Sequence, residues 1–429
     1  MLESQHKTMK NLIKNLVFKV LVFLAKTRLK RMKNYKVIGI TGSMGKTSAK
    51  DAIAHVLSSQ FSVIATKKSY NSEFGVPLTI LQADAGFSSA ILWIKTLAKC
   101  IRSAFFSNTE VDFFVLEMGV DKKGDMDQLL SIVKPDIGVF LSVKPAHLAE
   151  GQFSNIDEIF EEKSKLIRHI KKGGIALLNS DDDRVKKSRT EEIKIINFGI
   201  NPDCKLKAEN IKSEISGVHF DVVYGNIKIE INSPVIGKQH IYAMLPAIYC
   251  GLEAGMFPAE VKKSIEQYML PPGRMNLIEG INGSLIIDSS YNASPAATKS
   301  ALETLYEISG EKRKIFVFGN MNELGKSSED LHKEVGAFCG KIDLMITVGE
   351  YAKIAGEEAK KIGVKVHNFE TPETASEFLK PHITSNDILL VKGSQNKVRL
   401  ERLTKSLMKY PERAEKLLPR QEKQWQKII

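Results

Sequence analysis

Residues 36–48 read KVIGITGSMGKTS, and this stretch decides the fold class. Lys36–Thr41 is a short β-branched run of strand type, and a helical pattern extends from Lys46 to Leu57. Thr41, Gly42, Ser43, Met44, Gly45, Lys46, Thr47 and Ser48 therefore join a strand to a helix. Glycines at such a junction let the backbone curl until its N–H groups converge. The helix N-terminus adds partial positive charge, and the two together cradle phosphate. Lys46 suits the β- and γ-phosphates, and the Thr47 hydroxyl suits Mg²⁺. The general phosphate-loop pattern places a glycine five positions before Gly45, where Ile40 stands; here Gly42 sits three before it.

Working outward, apolar runs at Val111–Glu117, Ile137–Val143 and Ile175–Leu178 alternate with helical segments. That rhythm predicts a parallel sheet covered by helices on both faces. Residues 194–235 interrupt it with short alternating segments, read here as an antiparallel side sheet. Pro271-Pro272-Gly273 marks a linker, after which strands at Ser284–Asp288, Lys314–Phe318, Leu344–Val348 and Asp387–Val391 resume the alternation. The expectation is an α/β protein in three parts. Residues 1–35 form a basic helix, 36–271 a phosphate-loop ATP-binding domain, and 272–429 a Rossmann-like C-terminal domain.

Composition narrows the function. Hydrophobic residues make up 43% and charged residues 26% of the 429, a globular profile. Four cysteines, Cys100, Cys204, Cys250 and Cys339, lie far apart without a CxxC pair, which argues against a zinc site and a disulfide framework and fits a reducing cytoplasm. The net charge of +12 is concentrated: residues 1–36 hold ten Lys or Arg and one acid, Glu3. A nucleic-acid binder would spread its charge over a face, so no nucleic-acid partner is expected.

Leu12, Ile13, Leu16, Val17, Val20, Leu21 and Leu24 recur at helical spacing among lysines, and the longest uncharged apolar run is Val20–Ala25. A membrane span needs about 20 apolar residues. The segment is therefore a basic amphipathic helix, lying on an anionic membrane surface through residues 8–33 or packed on its own protein. Ser89–Phe106 is similar, with Ile91, Leu92, Ile94, Leu97, Ala98, Ile101 and Phe105 in one stripe beside Lys95, Lys99 and Arg102.

The TGxxGKTS form of the loop resembles that of the Mur ligases, and further matches follow in order. They are closest to the branch that adds D-alanyl-D-alanine. Residues 68–79 (KSYNSEFGVPLT), Glu117-Met118-Gly119, Pro145-Ala146-His147-Leu148, Glu162-Lys163-Ser164, Gly273-Arg274-Met275, residues 288–295 (DSSYNASP), 319–325 (GNMNELG) and 391–394 (VKGS) each resemble a motif of that branch. The resemblance spans roughly residues 36–410. It implies a monomeric, cytoplasmic ATP-dependent ligase that activates a muramoyl-peptide carboxylate as an acyl phosphate and joins it to D-alanyl-D-alanine. It assigns catalysis to Lys46, Lys163, His147 and Arg274. Nucleotide contacts fall to residues 41–48, Gln239, His240, Arg274, Asp288 (to the ribose) and Asn292, with Tyr291 beside it. Mg²⁺ ligands are Thr47, Glu117, His147 and a carbamylated Lys163. Lys392 would hold a substrate carboxylate or cap its strand.

The resemblance also sets a contrast. Members of this branch carry an N-terminal UDP-sugar-binding domain of roughly a hundred residues, and only about 35 residues precede the first strand here, too few for it. Gln239-His240 stands where the family has His-Asn, and Ser142, Lys144, Ser294 and Asn320 also depart from its pattern. Two alternatives follow: a Mur-like ligase with a different or lipid-linked acceptor, or a non-catalytic ATP-binding scaffold at the membrane.

Overall fold

The apolar runs build two sheets. The computed structural model describes residues 2–67, 73–86, 90–145, 150–188, 192–395, 398–422 and 425, with residues 2–11, 13 and 90 described by backbone only. The chain opens with α1 (Leu2–Arg31), β1 (Lys36–Thr41), α2 (Lys46–Ser58), β2 (Val63–Ala65), α3 (Gly75–Ile80), α4 (Ala90–Phe106) and β3 (Phe113–Glu117). α5 (Asp125–Ile132), β4 (Ile137–Phe140), α6 (Ile156–Arg168), β5 (Ile175–Asn179), β6 (Lys194–Gly199), β7 (Leu206–Glu214), β8 (Gly217–Tyr224), β9 (Ile227–Ser233), α7 (Ile241–Glu253) and α8 (Pro258–Glu266) follow. The strands order as β2-β3-β1-β4-β5-β6-β7-β8-β9.

Period-two alternation puts Ile38, Ile40, Val115 and Val139 on one face with α2 and α7. Val37, Phe114, Leu116 and Phe140 lie on the other face with α3, α5 and α6. Residues 194–235 are not a separate sheet. β6 pairs parallel with β5, and β7 parallel with β6; only the β7–β8 and β8–β9 pairings are antiparallel, and they extend the same sheet. The alternating pattern there reports a half-solvated face, as β7 buries every second residue at its start. Such alternation does not report strand direction.

The second sheet takes β10 (Asn276–Glu279), β11 (Leu285–Ser289), β12 (Arg313–Gly319), β13 (Leu344–Val348), β14 (Lys365–Phe369) and β15 (Asp387–Lys392), ordered β10-β11-β15-β12-β13-β14. Only β10 is antiparallel. α9 (Pro295–Ile308), α10 (Ser328–Ala337) and α11 (Glu350–Lys361) cover one face; α12 (Pro372–Leu379) and α13 (Glu401–Leu407) cover the other.

α1 buries Leu21, Leu24, Ala25 and Leu29 against its own protein and leaves Leu12, Leu16 and Phe23 exposed. No described helix is long and apolar enough to cross a membrane.

Candidate active site

β1 and β4 diverge at the topological switch point of the first sheet, since β1 leads toward β2 and β3 on one side while β4 lies on the other. A crevice outside the strand ends is where such sheets take ligands, and the loop after β1 lies in it. Gly42 and Gly45 have φ +150° and +78°. A Cβ on Gly42 would stand 3.0 Å from that of Leu141, so only glycine fits. The Ser43 N–H donates to the Ser142 carbonyl (2.7 Å) and the Met44 N–H to the Ser142 hydroxyl (3.3 Å). The Ser43 hydroxyl accepts from the Lys144 N–H at 3.0 Å. The start of the loop is thereby fastened to the segment after β4. The first turn of α2 has no side-chain cap, so the N–H groups of Lys46, Thr47 and Ser48 remain for a ligand.

The half-buried Lys46 donates through its ammonium to the Gly42 carbonyl at 2.8 Å. Burial lowers its pKa while Glu117 and Asp121 oppose the shift. Glu117 ends β3, itself buried, with its N–H donating to the Thr66 hydroxyl. Thr41 differs from the expectation: its hydroxyl donates to the Met118 carbonyl at 3.0 Å, so it ties β1 to the end of β3 and is not available to a nucleotide.

Lys163 is wholly buried on α6, and its ammonium has no hydrogen-bond partner among the described residues. Burial, then the charge of Lys46, pushes its pKa far down, with Asp121, Glu162 and Glu117 opposing. An isolated buried ammonium is unfavourable, whereas a neutral amine in this place is nucleophilic toward CO₂. The surroundings therefore fit a carbamate that would add an anion beside Glu117 and Asp121. His147 lies outside the described residues. Among those described, no group of three His, Cys, Asp or Glu is arranged around a metal. Thr47 and Glu117 fit Mg²⁺, which is held by one or two protein oxygens plus phosphate.

The second sheet closes the cleft, whose volume is about 510 Å³. Arg274 donates to the Thr47 hydroxyl at 3.1 Å, and its guanidinium lies 4.4 Å from the Tyr291 ring centroid. Lys392 is buried at the end of β15 and donates to the Asn292 carbonyl (2.8 Å) and the Ser289 hydroxyl (3.2 Å). Burial, reinforced by Arg274, lowers its pKa to about 7. The Asn292 side chain accepts from the Ala293 N–H at 2.9 Å. Gln239 accepts from Thr304 across the domain junction at 3.0 Å, and Lys238 pairs with Glu307 there. His240 is buried with no partner for Nε2 among the described residues, and burial lowers its pKa to about 3, so it presents a neutral ring to the cleft.

Asp288 is a correction. It is fully buried and accepts from the Thr404 hydroxyl of α13 at 3.2 Å. Strand alternation turns Ser289 to the cleft and Asp288 to the opposite face, away from any ribose. Sequence reasoning missed Asp121, Asp181 and Tyr242. All three line the cleft, and the Tyr242 hydroxyl donates to Asp181 at 2.9 Å. The acids after β5 carried a usable signal, because a carboxylate just beyond a strand end in an open sheet stands at the ligand edge.

The arrangement gathers a phosphate cradle, two lysines, an arginine from the facing domain and several carboxylates in one cleft. That set suits phosphoryl transfer, which rests on positioning and charge neutralisation.

Comparison with known proteins agrees with this chemistry. The Mur ligase middle domain matches residues 40–251, and the Mur ligase, glutamate ligase domain matches residues 273–395. UDP-N-acetylmuramoyl-tripeptide–D-alanyl-D-alanine ligase of Bacillus subtilis is 29% identical over 392 residues, which are 90% of this chain and 79% of that protein. The crystal structure of MurF from Acinetobacter baumannii superposes with a TM-score of 0.76 at 27% identity, covering 90% of this chain and 79% of that one. MurF of Thermotoga maritima, solved with ADP, shares the fold with a TM-score of 0.74 at 24% identity, covering 93% and 84%.

Proposed function

Because the chain belongs to the Mur ligase family and carries its middle and C-terminal domains, we propose that it is an ATP-dependent, ADP-forming peptide ligase. It joins D-alanyl-D-alanine to the terminal carboxylate of a muramoyl-tripeptide precursor of peptidoglycan, the reaction named for its relative from Bacillus subtilis. The observation that carries the reading is the meeting of Lys46 and Thr47 with Arg274 and Lys392, from two sheets, in one cleft.

The reaction moves the γ-phosphoryl of ATP to a carboxylate oxygen; the amine nitrogen then attacks the acyl carbon, phosphate departs and the nitrogen loses its proton. The first turn of α2 binds phosphate oxygens through its free N–H groups. Lys46 sits where its ammonium, released from the Gly42 carbonyl, neutralises charge on the transferring group. Arg274 adds a second cation from the other domain, and its planar fork holds an oxyanion with two parallel N–H groups. Lys392 orients the carboxylate of the incoming dipeptide. Mg²⁺, when bound, supplies further charge neutralisation at Thr47 and Glu117. A carbamylated Lys163 would support that metal with the anion its buried ammonium cannot provide. Closure of the two domains excludes water and so spares the acyl phosphate from hydrolysis.

The compartment that fits is the cytoplasm, where ATP is present and the four free cysteines, all buried, stay reduced. Residues 8–33 hold the enzyme peripherally at the inner face of the membrane.

Phosphate release tests the reading, with ATP, Mg²⁺, D-alanyl-D-alanine and either UDP-muramoyl-tripeptide or its lipid-linked counterpart. Turnover that needs both dipeptide and donor and disappears in Lys46→Ala is the expected result. Turnover with the lipid-linked donor alone moves the step to the membrane surface. Silence with both donors, in protein that still binds ADP, overturns the assignment of this substrate pair.

A further inference from the structure

α1 and α4 lie side by side and run in the same direction. Phe18 of α1 and Trp93 of α4 both pack on Phe74, with ring centroids at 5.6 and 6.4 Å. Ten residues further along each helix, Arg28 donates to the Ser103 hydroxyl at 2.7 Å. Arg31 then donates to the Ala104 carbonyl at 2.8 Å. The two helices thus hold one register for about 15 Å.

Both helices also leave an apolar stripe in solvent. α4 turns Thr96, Cys100, Ser103 and Ala104 inward. It turns Ile91, Ile94, Ala98, Ile101 and Phe105 to solvent, at the spacing of a single helical stripe. Ile91 and Ile94 are each 68% exposed. On α1 the exposed stripe is Leu12, Leu16, Val20 and Phe23, with Leu16 64% and Phe23 62% exposed. Neighbouring parallel helices that bury their opposite sides present such stripes outward together. An exposed apolar surface of this kind marks an interaction site.

Cations choose the occupant. Lys19, Lys26 and Lys30 flank the stripe on α1; Lys95, Lys99 and Arg102 flank that on α4, and all are exposed. α4 contains no acid, and α1 contains only Glu3. A second copy of this chain would bring like charges together across the contact, which is unfavourable. An anionic lipid surface satisfies both the apolar stripe and its basic flanks.

We propose that α1 and α4 form one composite docking surface for an anionic phospholipid bilayer. The apolar stripes sit at the boundary between headgroups and acyl chains, and the six cations lie among the lipid phosphates. The inference rests on the membrane placement proposed for residues 8–33, extends it to α4, and is independent of the ligase reaction. Lys14 pairs with Glu73 at 3.2 Å, in the segment that follows β2 at the strand ends. The surface therefore reaches the edge of the sheet that also carries the phosphate loop.

Sedimentation of the full chain with phosphatidylglycerol–phosphatidylcholine vesicles, and with phosphatidylcholine vesicles alone, tests this. Ile94→Ser/Ile101→Ser on α4 and Leu16→Ser/Phe23→Ser on α1 alter exposed side chains only; ADP binding by each double variant checks the fold. The expected result is binding to the anionic vesicles that weakens with salt, with each double variant reducing it about ten-fold or more. Wild-type binding in the α4 variant, with loss in the α1 variant, would overturn the composite surface and leave the placement of residues 8–33 intact. No binding by the wild type would overturn both. Equal binding to the uncharged vesicles would refute the role given to the cations. A dimer seen by light scattering, abolished by the same substitutions and accompanied by no vesicle binding, would assign the surface to a second copy.

Discussion

The loop after β1 and the loop after β15 face each other across one cleft, and different forces hold them. Around β1 the backbone does the holding. Two glycines with positive φ set the curve, and Ser142 fastens the N–H groups of Ser43 and Met44. Around β15 side chains do it. Lys392 reaches Ser289 and Asn292, while the Ser394 hydroxyl accepts from the Asn322 N–H at 3.1 Å and donates to the Ala293 carbonyl at 3.1 Å. A backbone-built rim tolerates change in its side chains unless they touch ligand. A side-chain-built rim loses shape whenever one member changes.

The contrast sets the sizes of four effects. The largest is expected at the first rim, where Lys46→Ala removes a cation from the phosphate site and leaves the loop folded. Turnover should fall on the order of 10²–10³-fold with the thermal midpoint almost unmoved. A matching loss of stability would show that the loop depends on the Lys46–Gly42 bond. Next is Arg274→Lys, which keeps charge but loses the planar fork. Its rate should drop roughly 10–100-fold in kcat with a smaller change in KM for ATP. If kcat stays at the wild-type level, the bridge to Thr47 is only structural.

A third effect belongs to the second rim. Lys392 has a pKa near 7, so its ammonium is present below that pH and lost above it. KM for the dipeptide should therefore rise as pH passes upward through about 7, and Lys392→Met should be flat over that range with a uniformly higher KM. A wild-type KM that ignores pH would leave Lys392 as a strand cap. The smallest effect on turnover comes from Asp288→Asn. Burial raises the Asp288 pKa to about 7, above its unfolded value. The stability it contributes is full below the unfolded pKa near 4 and is lost as pH climbs through about 7. In urea titrations Asp288→Asn should be more stable than wild type at pH 8, by roughly 1–3 kcal/mol, and KM for ATP should stay within about two-fold. A large rise in that KM would return Asp288 to the nucleotide.

This division also explains what the sequence made legible. The phosphate loop was readable because its conformation demands glycine and its helix must begin there, both local requirements. The two-sheet α/β plan was readable from the spacing of apolar runs. Asp288 was misplaced by following its motif instead of the alternation of β11, which puts Ser289 on the cleft side. The lowered pKa of Lys392 and the isolation of Lys163 depend on residues distant in the chain, among them Arg274 for the one and Lys46 and Asp121 for the other. No local pattern encodes that burial. The continuity of β6–β9 with the main sheet was hidden for a similar reason, since alternation records solvent on one face and is silent about neighbours.

Ser142 has a consequence for how this protein meets its nucleotide. Because it already satisfies the N–H groups of Ser43 and Met44, the loop is set before any phosphate arrives. Association then requires little loss of chain freedom, so more of the contact energy appears as affinity. The short spacing from Gly42 to Gly45 thus gives a rigid receptor with fewer donors, one whose empty and loaded forms should differ little in their resistance to protease.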